Sequence, residues 1–330
     1  VNLTSILADG YRRLRYTTAP PAAITTRLTA YVNEVHRELL TMPGMSKLRD
    51  DTLPWTVTAN QSRQGLPPIV ARIRGMTDRL NNQQLDQVPL GELRQDDPGQ
   101  MFTGGFALRY AVIGERHTAI QPTITGSGLW IASSDTSDTK TVAVEAARLG
   151  GFQFYDAITT SLAGTTRVSV KSINTTAALT DYIEVDRFYV TSTTAAAGYV
   201  SLYDAVTSGN ELARIPIGST FARYLTVELW PTPTTAYTVY VDYTRVIPEL
   251  INGTDEPLLP TDFHDIIGLG IRAREYEFLD DSRAAVARAD YLTRKKALMS
   301  WMLNDGDKLS SLRPTQSRWN RLGPTYPSEN

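Results

Sequence analysis

Residues 223–281 read RYLTVELWPTPTTAYTVYVDYTRVIPELINGTDEPLLPTDFHDIIGLGIRAREYEFLDD. Two different periods meet in this stretch. YLTVELWP and AYTVYVDYTRVI have the texture of strands and suggest a hairpin-like pair around Pro231-Thr232-Pro233. TDEPLLPTDFHD is then a proline-punctuated lead into a long helix. Thr261 or Asp262 is expected to cap that helix, with Asp265 in the first turn, where a negative charge favours the helix dipole. Ile266, Ile267, Gly270, Ile271, Tyr276, Phe278 and Leu279 supply its apolar side. The helical region runs to about Met302, and Asp280-Asp281-Ser282 is read as a break. Beyond the break, a second helix holds Ala285, Ala289, Leu292 and Leu298.

Working outward toward the N-terminus, helical periodicity returns in the first 42 residues. Ile24, Leu28, Tyr31, Val32, Val35 and Leu39 form one apolar stripe, and Pro20-Pro21 sits where a helix starts. Leu3, Ile6, Leu7 and Leu14 suggest a shorter helix before it, and Pro43-Gly44 ends the region. From about residue 52 strand patterns follow. They include TLPWTVTA, PPIVARIRGMTDRL and an expected hairpin of FALRYAVIGE with HTAIQPTI, turning at Gly114-Glu115-Arg116. PLGELRQDDPG reads as a short helix or turn. Residues 125–220 are rich in Thr, Ser, Ala and Gly. Seven short runs there (LWIA, TVAVEA, FQFYDA, RVSVKSI, YIEVDRFYVTS, GYVSLYDA and ELARIPIG) suggest a β-sandwich, immunoglobulin-like by strand count alone.

The expected fold class is therefore α+β. A helical bundle from the N- and C-terminal segments is expected to carry an inserted β region, which in turn carries the β-sandwich. The expected domains are 1–124 with 221–305, an inserted sandwich at 125–220, and an extended C-terminal arm at 306–330.

Composition narrows the function. The chain has 330 residues, 42% hydrophobic and 21% charged, an ordinary balance for a protein that buries a core. A net charge of -2 argues against a protein whose main task is gripping nucleic acid. The absence of cysteine excludes disulfides, cysteine nucleophiles and thiolate metal sites, and fits folding in a reducing compartment. No apolar run reaches the length of a membrane helix, and the first residues lack a signal pattern, so a soluble, non-membrane protein is expected.

Catalytic signatures are missing. Gly126–Gly128 has no following lysine and is no phosphate loop. There is no GxSxG elbow. His36, His117 and His264 are scattered. Asp135 and Asp138 lack a calcium-loop framework and read as a turn. Asp96-Asp97, Asp255-Glu256 and Asp280-Asp281 read as caps and turns rather than catalytic pairs. No enzyme activity, cofactor or metal is expected.

Two basic clusters remain. Arg12, Arg13 and Arg15 lie with Tyr11 and Tyr16, and read as a solvated helix face or, alternatively, as a contact for DNA phosphates or an acidic protein surface. The last 25 residues lack periodicity, yet Trp319, Leu322 and Tyr326 would each gain roughly 2 kcal/mol by burial. Anchors among arginines read as an arm that docks on a partner. Its candidate docking residues are Leu309, Leu312, Arg313, Arg318, Trp319, Arg321, Leu322 and Tyr326.

The stretches FALRYAVIGERHTAIQP, RYLTVELWPTPTTAYTVYVDYTRVIPEL and DEPLLPTDFHDIIGLGIRAREYEFLDD, followed by ADYLTRKKALMSWM, resemble the head-to-tail adaptor (connector, neck) proteins of tailed bacteriophages. The resemblance covers about residues 1–125 and 221–330 and departs at 125–220. It implies a ring of twelve copies beneath the portal, with the C-terminal arm on the portal and a tail nozzle or tail tube on the other face. Genomic DNA would pass through the bore without sequence-specific binding, and tail fibres could attach through the inserted domain. It also implies a place in the virion neck, and in the host cytoplasm during assembly. The competing reading is a tail- or fibre-associated virion protein whose sandwich binds a receptor or glycan through aromatics such as Trp130, Tyr155 and Tyr199.

Overall fold

The computed structural model describes residues 1–310 apart from 17–19, 100, 123–127, 149–154, 171–181, 193 and 208. The chain opens with α1 (Leu3–Arg13) and α2 (Ala22–Thr41), and continues through β1 (Asp50–Val57), β2 (Arg63–Gly65), β3 (Val70–Asp78) and β4 (Gln83–Gln87). Next come α3 (Leu90–Asp96), β5 (Thr103–Gly104), β6 (Arg109–Arg116), β7 (Trp130–Ser133), β8 (Thr141–Arg148), β9 (Tyr155–Ser161) and β10 (Val168–Ser169). β11 (Tyr182–Val190), β12 (Val200–Tyr203), β13 (Glu211–Ile215), β14 (Tyr224–Trp230), β15 (Thr232–Pro233) and β16 (Tyr237–Arg245) follow, and α4 (Asp265–Phe278) and α5 (Ala284–Ser310) close the described chain.

This architecture corrects the expected fold class. The protein is mostly β-strand, arranged in several sheets, and is not a helical bundle carrying an insertion. It divides into two compact units, Asp50–Val246 and Val1–Arg49 with Ile247–Asn330. The periodicity at the two ends located helices correctly but said nothing about how much core the strands own. The strands before and after residues 129–222 bury Trp55, Val57, Ile73, Met76, Tyr110, Val227, Val239, Val241 and Tyr243 against one another. They need no helix to complete that core.

Those strands form a seven-stranded sheet of order β1-β16-β3-β4-β6-β14-β2. Both expected hairpins are absent from it. β14 pairs with β6 and β2, whereas β16 pairs with β1 and β3, so three strands separate the two. Gly114 makes no turn. It lies within β6 at φ +139°, where the ladder shifts register between Thr226 and Val227 of β14. Glycine alone tolerates that backbone without strain, and the extra residue becomes a bulge. Where β1 leads into β2, the buried Gln64 side chain stands in for a ladder. Its amide accepts from Thr58 N–H at 2.7 Å and donates to Thr58 C=O at 2.8 Å.

Residues 129–222 supply two further sheets, β10-β7-β12-β13 and β11-β8-β9, which share one apolar cluster including Ile131, Val144, Phe188, Val200, Leu202 and Ile215.

In the helical unit, Leu28, Val32, Val35 and Leu39 of α2 meet Ile266, Ile267 and Ile271 of α4, together with Leu3 and Ile6 of α1. Asn2 caps α1, accepting from Ser5 N–H at 3.0 Å. A Cβ on Gly270 would lie 2.7 Å from Val35, which shows how closely α4 approaches α2. The expected cap at Thr261 or Asp262 is replaced by a 3₁₀ turn, Thr261–Phe263, that leads into α4 from His264. Asp265 does occupy the first turn, and residues 279–283 separate α4 from α5.

Candidate functional site

The two units expose apolar surface in different ways. In the β unit, strand registers bring three connections to one end of the seven-stranded sheet. The β3–β4 turn follows the Asp78–Gln83 pair, β6 begins beside Asp86, and Thr234 N–H donates to Gly104 C=O at 2.7 Å. Ala107 N–H donates to the Tyr237 hydroxyl at 2.8 Å, and Arg79 stacks 3.8 Å from the Tyr240 ring. This rim presents Leu80 at 86% exposure, Met101 at 83% and Phe102 at 59%, with Phe106 and Leu108 beside them.

The rim is held from beneath. The buried Asp97 carboxylate accepts from Met101 N–H at 2.9 Å and Phe102 N–H at 3.0 Å. Phe102 packs edge-on against Trp230, with 6.3 Å between ring centroids. In the three connecting segments RLNN (79–82), PGQMFTGGFAL (98–108) and PTPTTA (231–236), Arg79 is the one charged residue. Several large apolar side chains left exposed on one rim make it a candidate interaction surface. The sequence carries a signal for it that periodicity does not reveal, Met101-Phe102 set in a Pro/Gly-rich loop.

In the helical unit, Phe278, Leu279 and Val286 stand exposed around the α4–α5 turn, and Leu292, Trp301 and Leu303 are also exposed on α5. α5 buries only Ala287, Tyr291, Leu298 and Met302 along one stripe among its described side chains. Arg27 connects this region to α2. Its guanidinium lies 4.3 Å from the Phe278 ring, and its Nε donates to Glu275, a carboxylate 1% exposed, at 3.0 Å. Glu38 is held by Arg274 at 2.9 Å and by Lys295.

Of the sequence-derived arm residues, Leu309 falls in α5, whose side chains beyond Leu303 are outside the described residues. Leu312, Arg313, Arg318, Trp319, Arg321, Leu322 and Tyr326 also lie outside the described residues. Arg12 and Arg13 of the first basic cluster both reach Asp9, at 3.8 and 2.6 Å; Arg12 is exposed, whereas the Arg13–Asp9 pair is part-buried against Gly268 of α4.

Three of the acidic residues noted in the sequence accept local hydrogen bonds. Asp138 accepts from Ser133, Ala197 N–H and Gly198 N–H, Asp255 from Ile251 and Asn252 N–H, and Asp281 from Arg283 N–H. His264 is buried, with Nε2 2.8 Å from Leu259 C=O. His36, also buried, accepts Leu258 N–H at 3.1 Å. Burial and the neighbouring His264 hold the His36 imidazole down to about 4, against an opposing pull from the Pro248 carbonyl. Among the described residues no group of three or more His, Cys, Asp or Glu is placed to hold a metal, and no helix is long and apolar enough to cross a membrane.

No curated protein matches the chain. A family model, the SU10 adaptor protein, matches residues 129–318. The match takes in β7–β13, where the adaptor resemblance of the sequence was expected to break off, together with β14–β16, α4 and α5. It covers more than half of the chain, and the protein belongs to the SU10 adaptor family of phage adaptor-type proteins.

Proposed function

We propose that the protein is a structural virion component, a head-to-tail adaptor that joins the portal to the tail of a bacteriophage. Copies assemble into a ring, expected to number twelve, docked under the portal, with the tail nozzle or tail tube on the far side. Genomic DNA crosses the bore without sequence-specific contacts. Tail fibres attach through the region 125–220, and residues 306–330 form the arm that grips the portal through Leu309, Trp319, Leu322, Tyr326 and their neighbours. The observation that carries this reading is the family match across residues 129–318.

Two features of the chain support it. A ring is built from heterologous contacts, in which two unlike patches of one chain meet on adjacent copies. The chain offers two such patches, the Met101–Phe102 rim and the Phe278–Leu279 turn. A net charge of -2 also suits a wall along which DNA slides, since a strongly basic wall would hold it. Co-sedimentation with the cognate portal tests the arm. Deletion of residues 306–330 is expected to abolish portal association while the circular dichroism of the remainder persists. Undiminished portal binding by the truncated chain would remove the arm assignment.

A further inference from the structure

Asn252 is the one asparagine in the chain that precedes a glycine. The Asn252-Gly253 pair lies between β16 and α4, in an exposed turn on which the start of α1 rests. Leu3 N–H donates to Asp255 C=O at 2.8 Å, and Thr4 N–H to Gly253 C=O at 3.1 Å. The Thr4 hydroxyl donates to the same Gly253 carbonyl at 3.0 Å. The turn thus satisfies two of the donors that a helix leaves open at its N-terminus. A Cβ on Gly253 would lie 2.4 Å from Thr4 Oγ1, so the fit is close. Leu3 and Ile6 of the helix seated there are buried with residues of α2 and α4.

The hydrogen bonds around the pair hold its frame and spare its nucleophile. Asp255 Oδ2 accepts from Asn252 N–H at 2.7 Å and from Ile251 N–H at 2.8 Å, and Asp255 N–H donates to Asn252 C=O at 2.9 Å. Asn252 N–H and Ile251 N–H, with the Asn252 side chain, hold the Asp255 carboxyl below the usual carboxylate range. Gly253 N–H, by contrast, donates to no group among the described residues. Glycine has no Cβ to keep its nitrogen away from the preceding side chain, and its backbone is free to turn toward it. Asn252, Gly253 and Thr254 are all exposed, so water and hydroxide reach them. Asn33 makes the contrast: its side chain is fixed on α2 by Leu250, accepting from the N–H at 2.7 Å and donating to the C=O at 3.1 Å.

We infer that Asn252-Gly253 is a deamidation site, where the chain turns asparagine into aspartate and isoaspartate and so loosens its own α1. Hydroxide takes the Gly253 amide proton, and the nitrogen attacks Asn252 Cγ. The N–Cγ bond forms, the Cγ–Nδ2 bond breaks, and the leaving nitrogen takes a proton from water and departs as ammonia. The product is a cyclic succinimide, which water opens. Breaking the new N–Cγ bond gives aspartate. Breaking the original peptide C–N bond gives isoaspartate, whose main chain runs through the side-chain carbon. One water is consumed and one ammonia released, with no change of oxidation state. Both products set a new carboxylate beside Asp255. Isoaspartate also lengthens the main chain by one carbon just before the carbonyl that holds Thr4. This chemistry rests on the turn alone and not on the adaptor reading.

The test incubates the full chain in warm, mildly alkaline buffer and follows the tryptic peptide of residues 246–272 by mass spectrometry, beside a synthetic peptide of the same sequence. The peptide from the folded chain should gain one mass unit with time, faster as pH rises, and fragmentation should place isoaspartate at position 252. Asn252→Gln should lose the gain, because its larger ring closes far more slowly, while its circular dichroism matches that of the parent chain. Hydrogen exchange at the Leu3 and Thr4 amides should be slow in fresh protein and fast in the converted fraction. A folded chain that keeps its mass while the synthetic peptide converts would overturn the inference. Conversion that leaves exchange at Leu3 and Thr4 unchanged would overturn the link to α1.

Discussion

The helical unit ties sequence-distant segments together with charge. Arg27 reaches Glu275 across 248 residues, and Arg274 and Lys295 both reach back to Glu38. Two buried histidines, His36 and His264, pin the 258–259 segment that leads into α4. The β unit joins its distant segments with strand ladders and, at the β1–β2 connection, with a neutral amide, Gln64. Ion pairs also cross the β unit, Glu228 with Arg63 and Arg94, Arg116 with Glu184 and Arg187 with Glu145, but the Glu228–Arg63 and Arg187–Glu145 pairs add to ladders that already join those strands. The lesson is one of sensitivity. Titratable crosslinks respond to protons and to loss of a partner, whereas amide ladders respond mainly to loss of a hydrogen bond.

The hardest blow to the helical unit should be Arg27→Ala. It leaves the nearly inaccessible Glu275 carboxylate unpaired, at a cost of about 3–5 kcal/mol. Denaturant unfolding should show an earlier transition for the helices and an unchanged one for the strands. Adding Glu275→Leu should restore much of the loss, because a buried pair costs more to break than to replace. If the two transitions move together, the contrast between the units is wrong.

Acid comes next. In the unfolded chain His36 takes up a proton near 6.5, whereas in the folded unit it stays neutral down to about 4. The unfolded state therefore binds more protons through that window, and stability falls as pH falls from about 6.5 toward 4, by up to about 3 kcal/mol. Thermal scans between pH 7 and pH 4.5 should lower the helical transition more than the β transition, and His36→Leu should flatten that difference. A larger acid effect on the β unit would contradict the account.

Gln64→Ala should act in the opposite unit. It strands Thr58 N–H and C=O, and about 1–3 kcal/mol should be lost from the β transition alone. The smallest stability effect belongs to the rim. Met101→Ser touches a side chain 83% exposed and should shift either transition by no more than about 0.5 kcal/mol. Its readout is assembly: rings on the portal should weaken although the subunit is as stable as before.

The sequence was most informative where period alone decides the matter. The α2 stripe, the helix pair after Asp265 and the break near Asp281 all follow from 3.6-residue spacing, and the strand segments from alternation. Pairing was not legible. YLTVELW and AYTVYVDYTR alternate correctly, but alternation names no partner, and closeness in sequence suggested a hairpin where three strands intervene. Gly114 looked like a turn because a bulge and a turn both ask for glycine. The charge crosslinks were equally hidden: nothing near Arg27 points to Glu275.

The most direct test of the adaptor assignment is electron microscopy of the protein alone and mixed with its cognate portal at matched concentrations. The account expects rings on the portal, with one added density per portal subunit, and the position of the 129–222 region relative to the bore is read from the same images. A folded protein that shows no association with the portal at any concentration would contradict it.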